Sequence, residues 1–110
     1  MEISASEQAG CLVVLVAGRL DTDTAPEFER YCTAAIEKGH RKFALDLSRL
    51  EFISSAGFRA ILGTAKRLKP SGGAVAACSL SGVVAEVFAI SGFANLMPIT
   101  PDVPSAIQAL

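Results

Sequence analysis

The stretch that decides the fold is LDLSRLEFISSAGFRAILGTAKRLK, Leu45 to Lys69. An apolar run typical of a buried strand ends at Ile53, and apolar residues at helical spacing begin near Phe58. Four small residues, 54–57, lie between the two runs, and two of them are serines. A junction of this kind between two buried elements has three candidate roles: a helix cap, a phosphate site or a catalytic serine.

Length and composition predict one folded domain over residues 1–110. The chain has 110 residues, close to the commonest domain size, and its 51% hydrophobic content suits an aliphatic core. Ten basic residues stand against eleven acidic ones. This balance lacks the excess of positive charge that binding to nucleic acid or to an anionic membrane requires, so neither partner is expected.

The distribution of apolar residues and cysteines favours the cytoplasm. No apolar stretch approaches the roughly 18 residues of a membrane span, so no direct membrane insertion is expected. The N-terminus is polar and acidic, unlike a signal peptide. The three cysteines are widely spaced within apolar sequence. An odd number in such settings predicts buried free thiols in a reducing compartment.

Hydrophobic periodicity predicts an α/β fold. Predicted strands span Glu2–Ser6, Cys11–Gly18, Lys42–Leu47, Ala74–Cys78 and Leu96–Ile99; predicted helices start at Thr24 with a capping box to Glu27, near Phe58, at Ser81, and at Thr100 or Asp102. The first two strands are expected to form an edge hairpin, and helical crossovers make the inner strands parallel. We therefore expect a mixed sheet of four to five strands with about four helices on one or both faces.

Catalytic sites find little support in the sequence. The single histidine, His40, lies in a polar turn, and one histidine with three scattered cysteines makes no zinc site. The phosphate-binding loop, the dinucleotide fingerprint and the serine-hydrolase elbow are all missing from the sequence. We therefore expect a protein that is not an enzyme and that needs no cofactor or metal.

The junction itself leaves two alternatives open. Ser54 or Ser55 can cap the exposed N–H groups at the start of the helix, and Gly57 permits a tight backbone path. The same N–H groups would also tolerate a phosphate on a serine hydroxyl. The first alternative is purely structural, and the second describes a reversible switch that changes the surface without unfolding the domain.

Three motifs in order resemble those of the STAS family, the sulfate-transporter and anti-sigma-factor-antagonist domains. GRLDTDTA at 18–25 is similar to the turn into the family's first helix. LDLSRLEFISSAGF at 45–58 is similar to its strand, D-S-S-G loop and second helix, and VFAISGF at 87–93 to a later helix. The resemblance covers nearly the whole chain and is specific for the fold.

The resemblance implies an anti-sigma factor antagonist of the free-standing bacterial kind. Such antagonists bind an anti-sigma factor that is also a serine kinase, are released when it phosphorylates a loop serine, and are reset by a phosphatase. Ser55 matches the phosphorylated serine. The residues that match or flank the family's partner-binding positions are Asp21, Ser54, Ala56, Gly57 and Arg59.

Two positions depart from the family pattern. Ser54 replaces an aspartate, and Arg59 stands where the family often has a small residue. Arg59 either pairs with a phosphoserine or is simply solvated. Asp21 has both a turn role and a partner-contact role open to it.

The resemblance also allows a second function, that of a STAS subunit of a lipid-trafficking ABC transporter, which docks without being phosphorylated. A sensor of a small ligand is a further alternative, though the chain has neither a phosphate loop nor an aromatic cage.

Overall fold

A mixed sheet organises the structure, a computed structural model that describes residues 1–92 and 96–110. Within these residues the strands are β1 (Glu2–Gln8), β2 (Cys11–Leu20), β3 (Lys42–Asp46), β4 (Leu50–Ile53), β5 (Ala74–Cys78) and β6 (Ile99–Thr100). The helices are α1 (Ala25–Glu37), α2 (Ser55–Leu68), α3 (Gly82–Ser91) and α4 (Val103–Gln108), with a short 3-10 helix at Lys69–Ser71. Phe93, the last residue of the third motif, lies outside the described residues.

The strand order confirms the predicted topology. Antiparallel β1 and β2 form the edge hairpin, and the sheet continues from β2 through β3 and β5 to β6 in parallel. The hairpin turn places Ala9 and Gly10 at φ 50° and 78°. The parallel pairs are joined through α1, α2 and α3, whose lengths suit crossovers between parallel strands.

The sheet has six strands, against the predicted four to five, because the run that ends at Ile53 is split. The Asp46 carboxylate accepts a hydrogen bond from the Ser48 N–H at 3.0 Å, and the Leu50 N–H bonds to the Leu47 carbonyl at 3.1 Å. This turn separates β3 from β4. β4 then pairs in parallel with the last residues of β2, and the register shifts between Gly18 and Arg19.

Helices cover both faces of the sheet. The larger core cluster joins α1, α2 and α3 to one face, and the smaller cluster joins α4 to the other. Along β3 the alternation is visible directly: Phe43 and Leu45 belong to the larger cluster and Ala44 to the smaller. The small side chains on the second face let the short α4 lie close, with Ala106 fully buried.

Helix ends differ from the prediction in detail. The capping box at Thr24 is wrong: Thr24 is the N-cap of α1, but its hydroxyl accepts from the Asp21 N–H at 2.9 Å and donates to the Arg19 carbonyl at 2.9 Å. Ser81 is the N-cap of α3 without a side-chain capping bond. Asp102 caps α4 by accepting from the Ser105 N–H at 2.9 Å.

The cysteines are free and buried, as predicted. Burial raises the pKa of the Cys32 thiol to about 11, and the nearby Thr64 and Arg67 offset this only in part. A thiol held neutral in the core is a packing residue and not a nucleophile. No helix in the described part of the chain is long and apolar enough to cross a bilayer.

Candidate functional site

Two strand ends meet where the sequence motifs predicted a site. Leu20, the last residue of β2, pairs with Ile53, the last residue of β4. The strands are parallel, so the chain leaves both at the same edge of the sheet, and Asp21 and Ser54 follow neighbouring residues. The Ser54 N–H donates to the Leu20 carbonyl at 3.0 Å. The structure thus brings the first-turn motif beside the serine loop.

Ser54 is the residue that caps α2. Its backbone is extended, with φ −99° and ψ 175°, and its hydroxyl accepts from the Gly57 N–H at 3.3 Å. The Ser54 carbonyl accepts the next helical bond, from the Phe58 N–H at 3.0 Å. The structure therefore gives the capping role to the first serine of the pair and leaves the second free of it.

Ser55 is the first residue of α2, and it is exposed. Its hydroxyl forms no hydrogen bond with any residue that the structure describes. A helix N-terminus carries a partial positive charge and N–H groups that suit an anion. The one histidine of the chain, His40, has its Nδ1 3.7 Å from Oε1 of Glu7 in β1. It therefore does not lie beside Ser55 as a general base. The described residues thus place a serine hydroxyl in solvent at a helix N-terminus.

Gly57 is required by the close approach of α2 to the end of β2. A Cβ on this residue would lie 2.5 Å from the Leu20 carbonyl oxygen and 2.9 Å from Cγ1 of Ile53. Both distances are shorter than side-chain carbons normally show. Gly57 is buried, so it shapes the turn beneath the loop and does not itself present a surface.

Asp21 holds the first turn together. Its Oδ1 accepts from the Asp23 N–H at 3.0 Å and the Thr24 N–H at 3.2 Å, and its Oδ2 lies 3.4 Å from Nε of Arg19. Partial desolvation alone would raise the pKa of the Asp21 carboxyl, but these donors outweigh it, and the net pKa is lowered. The turn role foreseen for Asp21 is filled, and part of the side chain stays exposed.

Arg19 also lies at this site, although the sequence motifs did not predict a role for it. Its guanidinium lies 4.2 Å from the ring centroid of Phe52, the residue opposite it in β4, and also pairs with Asp21. A basic residue two before a turn aspartate hints at the ion pair, but the contact with Phe52 depends on the shifted register.

The remaining predicted positions lie on the same helix start. Ala56 is half-buried against the larger core cluster. Arg59 is exposed one turn after Ser55 and forms no ion pair with the described residues. Phe58 points toward α3, where its ring centroid is 5.0 Å from that of Phe88. The start of α2 is therefore anchored on one side and open to solvent on the other.

Comparison with known sequences identifies relatives over the whole chain. The STAS domain model matches residues 2–106. BtrV of Bordetella bronchiseptica, named as a candidate anti-sigma factor antagonist, is 36% identical over 109 residues, covering 99% of this chain and 94% of that protein. An anti-sigma F factor antagonist of Paenibacillus polymyxa is 29% identical over 111 residues, covering 100% and 95%.

Solved structures show the same fold. An anti-sigma factor antagonist from Mycobacterium paratuberculosis superposes with a TM-score of 0.89 at 23% identity, covering 98% of this chain and 92% of that one. The Bacillus cell-fate determinant SpoIIAA in its phosphorylated form gives 0.74 at 22% identity, covering 97% of each chain. These likenesses confirm the predicted class, a single α/β domain with a mixed sheet and four helices.

Replacing Gly57 tests the close approach. Gly57→Ala should lower the free energy of unfolding by about 1–3 kcal/mol, because the new Cβ forces the start of α2 away from Leu20. Gly63→Ala is the matched control, because a Cβ added at this position of the same helix would meet open space. It should raise the free energy of unfolding by about 0.5–1 kcal/mol. Urea unfolding measures both. Equal effects of the two substitutions would contradict this account.

The charge of Asp21 should stabilise the fold in a pH-dependent way. Because its folded pKa is lowered, the stabilisation is present above the unfolded pKa of about 3.9 and is lost as the pH falls through the folded value. Asp21→Asn should therefore unfold at a lower urea concentration than wild type at pH 7, and the difference should shrink as the pH falls below about 4. The control is Asp23→Asn, an exposed neighbour. A gap that is constant with pH would argue against a role for the charge.

Proposed function

Because the chain belongs to the STAS domain family, we propose that it is an anti-sigma factor antagonist switched by phosphorylation of Ser55. Its relatives are anti-sigma factor antagonists, which implies an anti-sigma factor as partner. In the proposal this partner is also a serine kinase, and a phosphatase restores the unmodified state. The observation that carries the switch is the exposed Ser55 hydroxyl, which makes no hydrogen bond within the described part of the chain.

The docking surface of the proposal consists of exposed and half-buried residues around the two strand ends. It comprises Asp21, Ser54, Ser55, Ala56 and Arg59, with Gly57 setting the turn beneath them. The backbone bond from Ser54 to Leu20 ties the two segments together. A partner would therefore meet a preformed surface, and little conformational entropy would be lost on docking.

Phosphorylation would weaken docking through charge. The Ser55 hydroxyl oxygen attacks the γ-phosphorus of ATP, the bond from that phosphorus to ADP breaks, and the hydroxyl proton passes to a base of the kinase. The product carries about −1.5 to −2 charge near neutral pH. Within the antagonist the helix N-terminus stabilises this charge, but in the complex it would be desolvated without a matching cation on the partner. Binding should fall while the fold persists.

The SpoIIAA comparison supports this division between fold and surface. That protein adopts the same architecture in its phosphorylated form. In the present chain Ser54 caps α2 through its hydroxyl, as an aspartate at this position would through its carboxylate. The start of α2 is therefore still capped although Ser54 replaces the family's aspartate, and the Ser55 hydroxyl remains accessible to a kinase.

Binding of the cognate anti-sigma kinase tests the proposal. Wild type and Ser55→Ala should both bind, whereas protein phosphorylated on Ser55 should bind at least about tenfold more weakly, a loss of about 1.4 kcal/mol. Ser55→Ala should take up no phosphate from ATP and the kinase, as read by mass spectrometry. Ser6→Asp, an added charge on the exposed edge strand β1, controls for net charge and should bind like wild type.

Two results would contradict the proposal. The first is phosphate on a residue other than Ser55 after incubation with the kinase. The second is equal retention of the phosphorylated and unmodified proteins, which would favour docking without phosphorylation, as in a transporter subunit.

A further inference from the structure

Ser55 and Arg59 are four residues apart on α2, and both are exposed. Residues at this spacing lie on the same face of a helix, with Cβ atoms about 5–6 Å apart. An acidic group placed N-terminal to a basic one at this spacing is the more stabilising order. A phosphate on Ser55 would therefore lie within reach of the Arg59 guanidinium.

The neighbouring cation is already engaged. Arg19 pairs with the Asp21 carboxylate at 3.4 Å and lies over the Phe52 ring. The Arg59 side chain, in contrast, makes no ion pair and no hydrogen bond among residues 1–92 and 96–110. The remaining charged side chains of residues 19–24 and 50–59 are Asp23 and Glu51, both acidic and both exposed. The guanidinium of Arg59 is thus the cation placed to receive a new anion at this helix start.

We infer that Arg59 binds the phosphate of phosphorylated Ser55 and holds it on the antagonist's own helix. This rests on the proposed function only in taking Ser55 as the modified residue. The planar guanidinium matches the oxygens of a phosphate in a bidentate arrangement, which a lysine or a neutral residue would not reproduce. Two groups on consecutive turns need only rotamer changes to meet.

Pairing of Arg59 with the phosphate would change the surface that meets the partner in two ways. In the unmodified protein the Arg59 cation faces solvent and is available to an acidic group of the anti-sigma factor. After phosphorylation the guanidinium binds the phosphate, and the net charge of the two side chains changes from +1 to between about −0.5 and −1. The partner therefore loses a cation and meets an anion in one step.

The experiment uses the full chain with phosphoserine genetically encoded at position 55, so that no kinase is needed. Unmodified and phosphorylated proteins are prepared with Arg59 and with Arg59→Gln. Phosphorylation should raise the Tm by about 2 °C more with Arg59 than with glutamine. The phosphate titration midpoint, followed by phosphorus NMR, should be lower by about 0.3 pH unit when Arg59 is present.

Lys66→Gln is the matched control. It removes an exposed cation near the other end of α2 and should leave both increments at their wild-type values. Unchanged increments in Arg59→Gln, or equal loss in Lys66→Gln, would overturn the inference. A kinase that ignores Ser55 would instead refute the proposed function and leave these two readings intact.

Discussion

The start of α2 can lie against the end of β2 only because residue 57 has no side chain. The Leu20 carbonyl occupies the place that a Cβ would need, and it also accepts the N–H of Ser54. The Leu20 carbonyl thus fixes the residue that follows β4 and limits how closely α2 can approach the end of β2. The direction of the following side chains, including the outward position of Ser55, depends on this contact.

The contact also separates the roles of two adjacent serines. Ser54 is turned inward enough for its hydroxyl to bond the Gly57 N–H, and Ser55 begins the helix in solvent. The cap is neutral, and the nearby Asp21 carboxylate is already held by backbone N–H groups and Arg19. A negative charge added to Ser55 would therefore be stabilised by the helix dipole and would not be repelled by a carboxylate at position 54. In the proposed switch, this is the physical reason why phosphorylation would alter the surface and leave the core unchanged.

Much of the fold could be predicted from periodicity, and the rest depends on contacts between distant residues. The alternation around Phe43, the helical spacing after Phe58 and the glycine at the junction are local signals, and they predicted the strand, the helix and the tight turn between them. The separation of β3 from β4 depends on the carboxylate of Asp46, which alternation alone does not reveal. Which serine caps α2, and where the Thr24 hydroxyl bonds, depends on backbone geometry and a packed turn. Arg19 was missed because its partner, Phe52, faces it only after a register shift.

The most direct test compares amide NMR spectra of the unmodified chain and of the chain with phosphoserine at position 55. The account predicts shifts confined to the two segments that meet at this edge, 19–24 and 54–59, with the amides of β3 and β5 unchanged. Shifts that spread through those central strands, or a collapse of spectral dispersion, would mean that the charge disturbs the core. The claim that the fold insulates its interior from this serine would then be wrong.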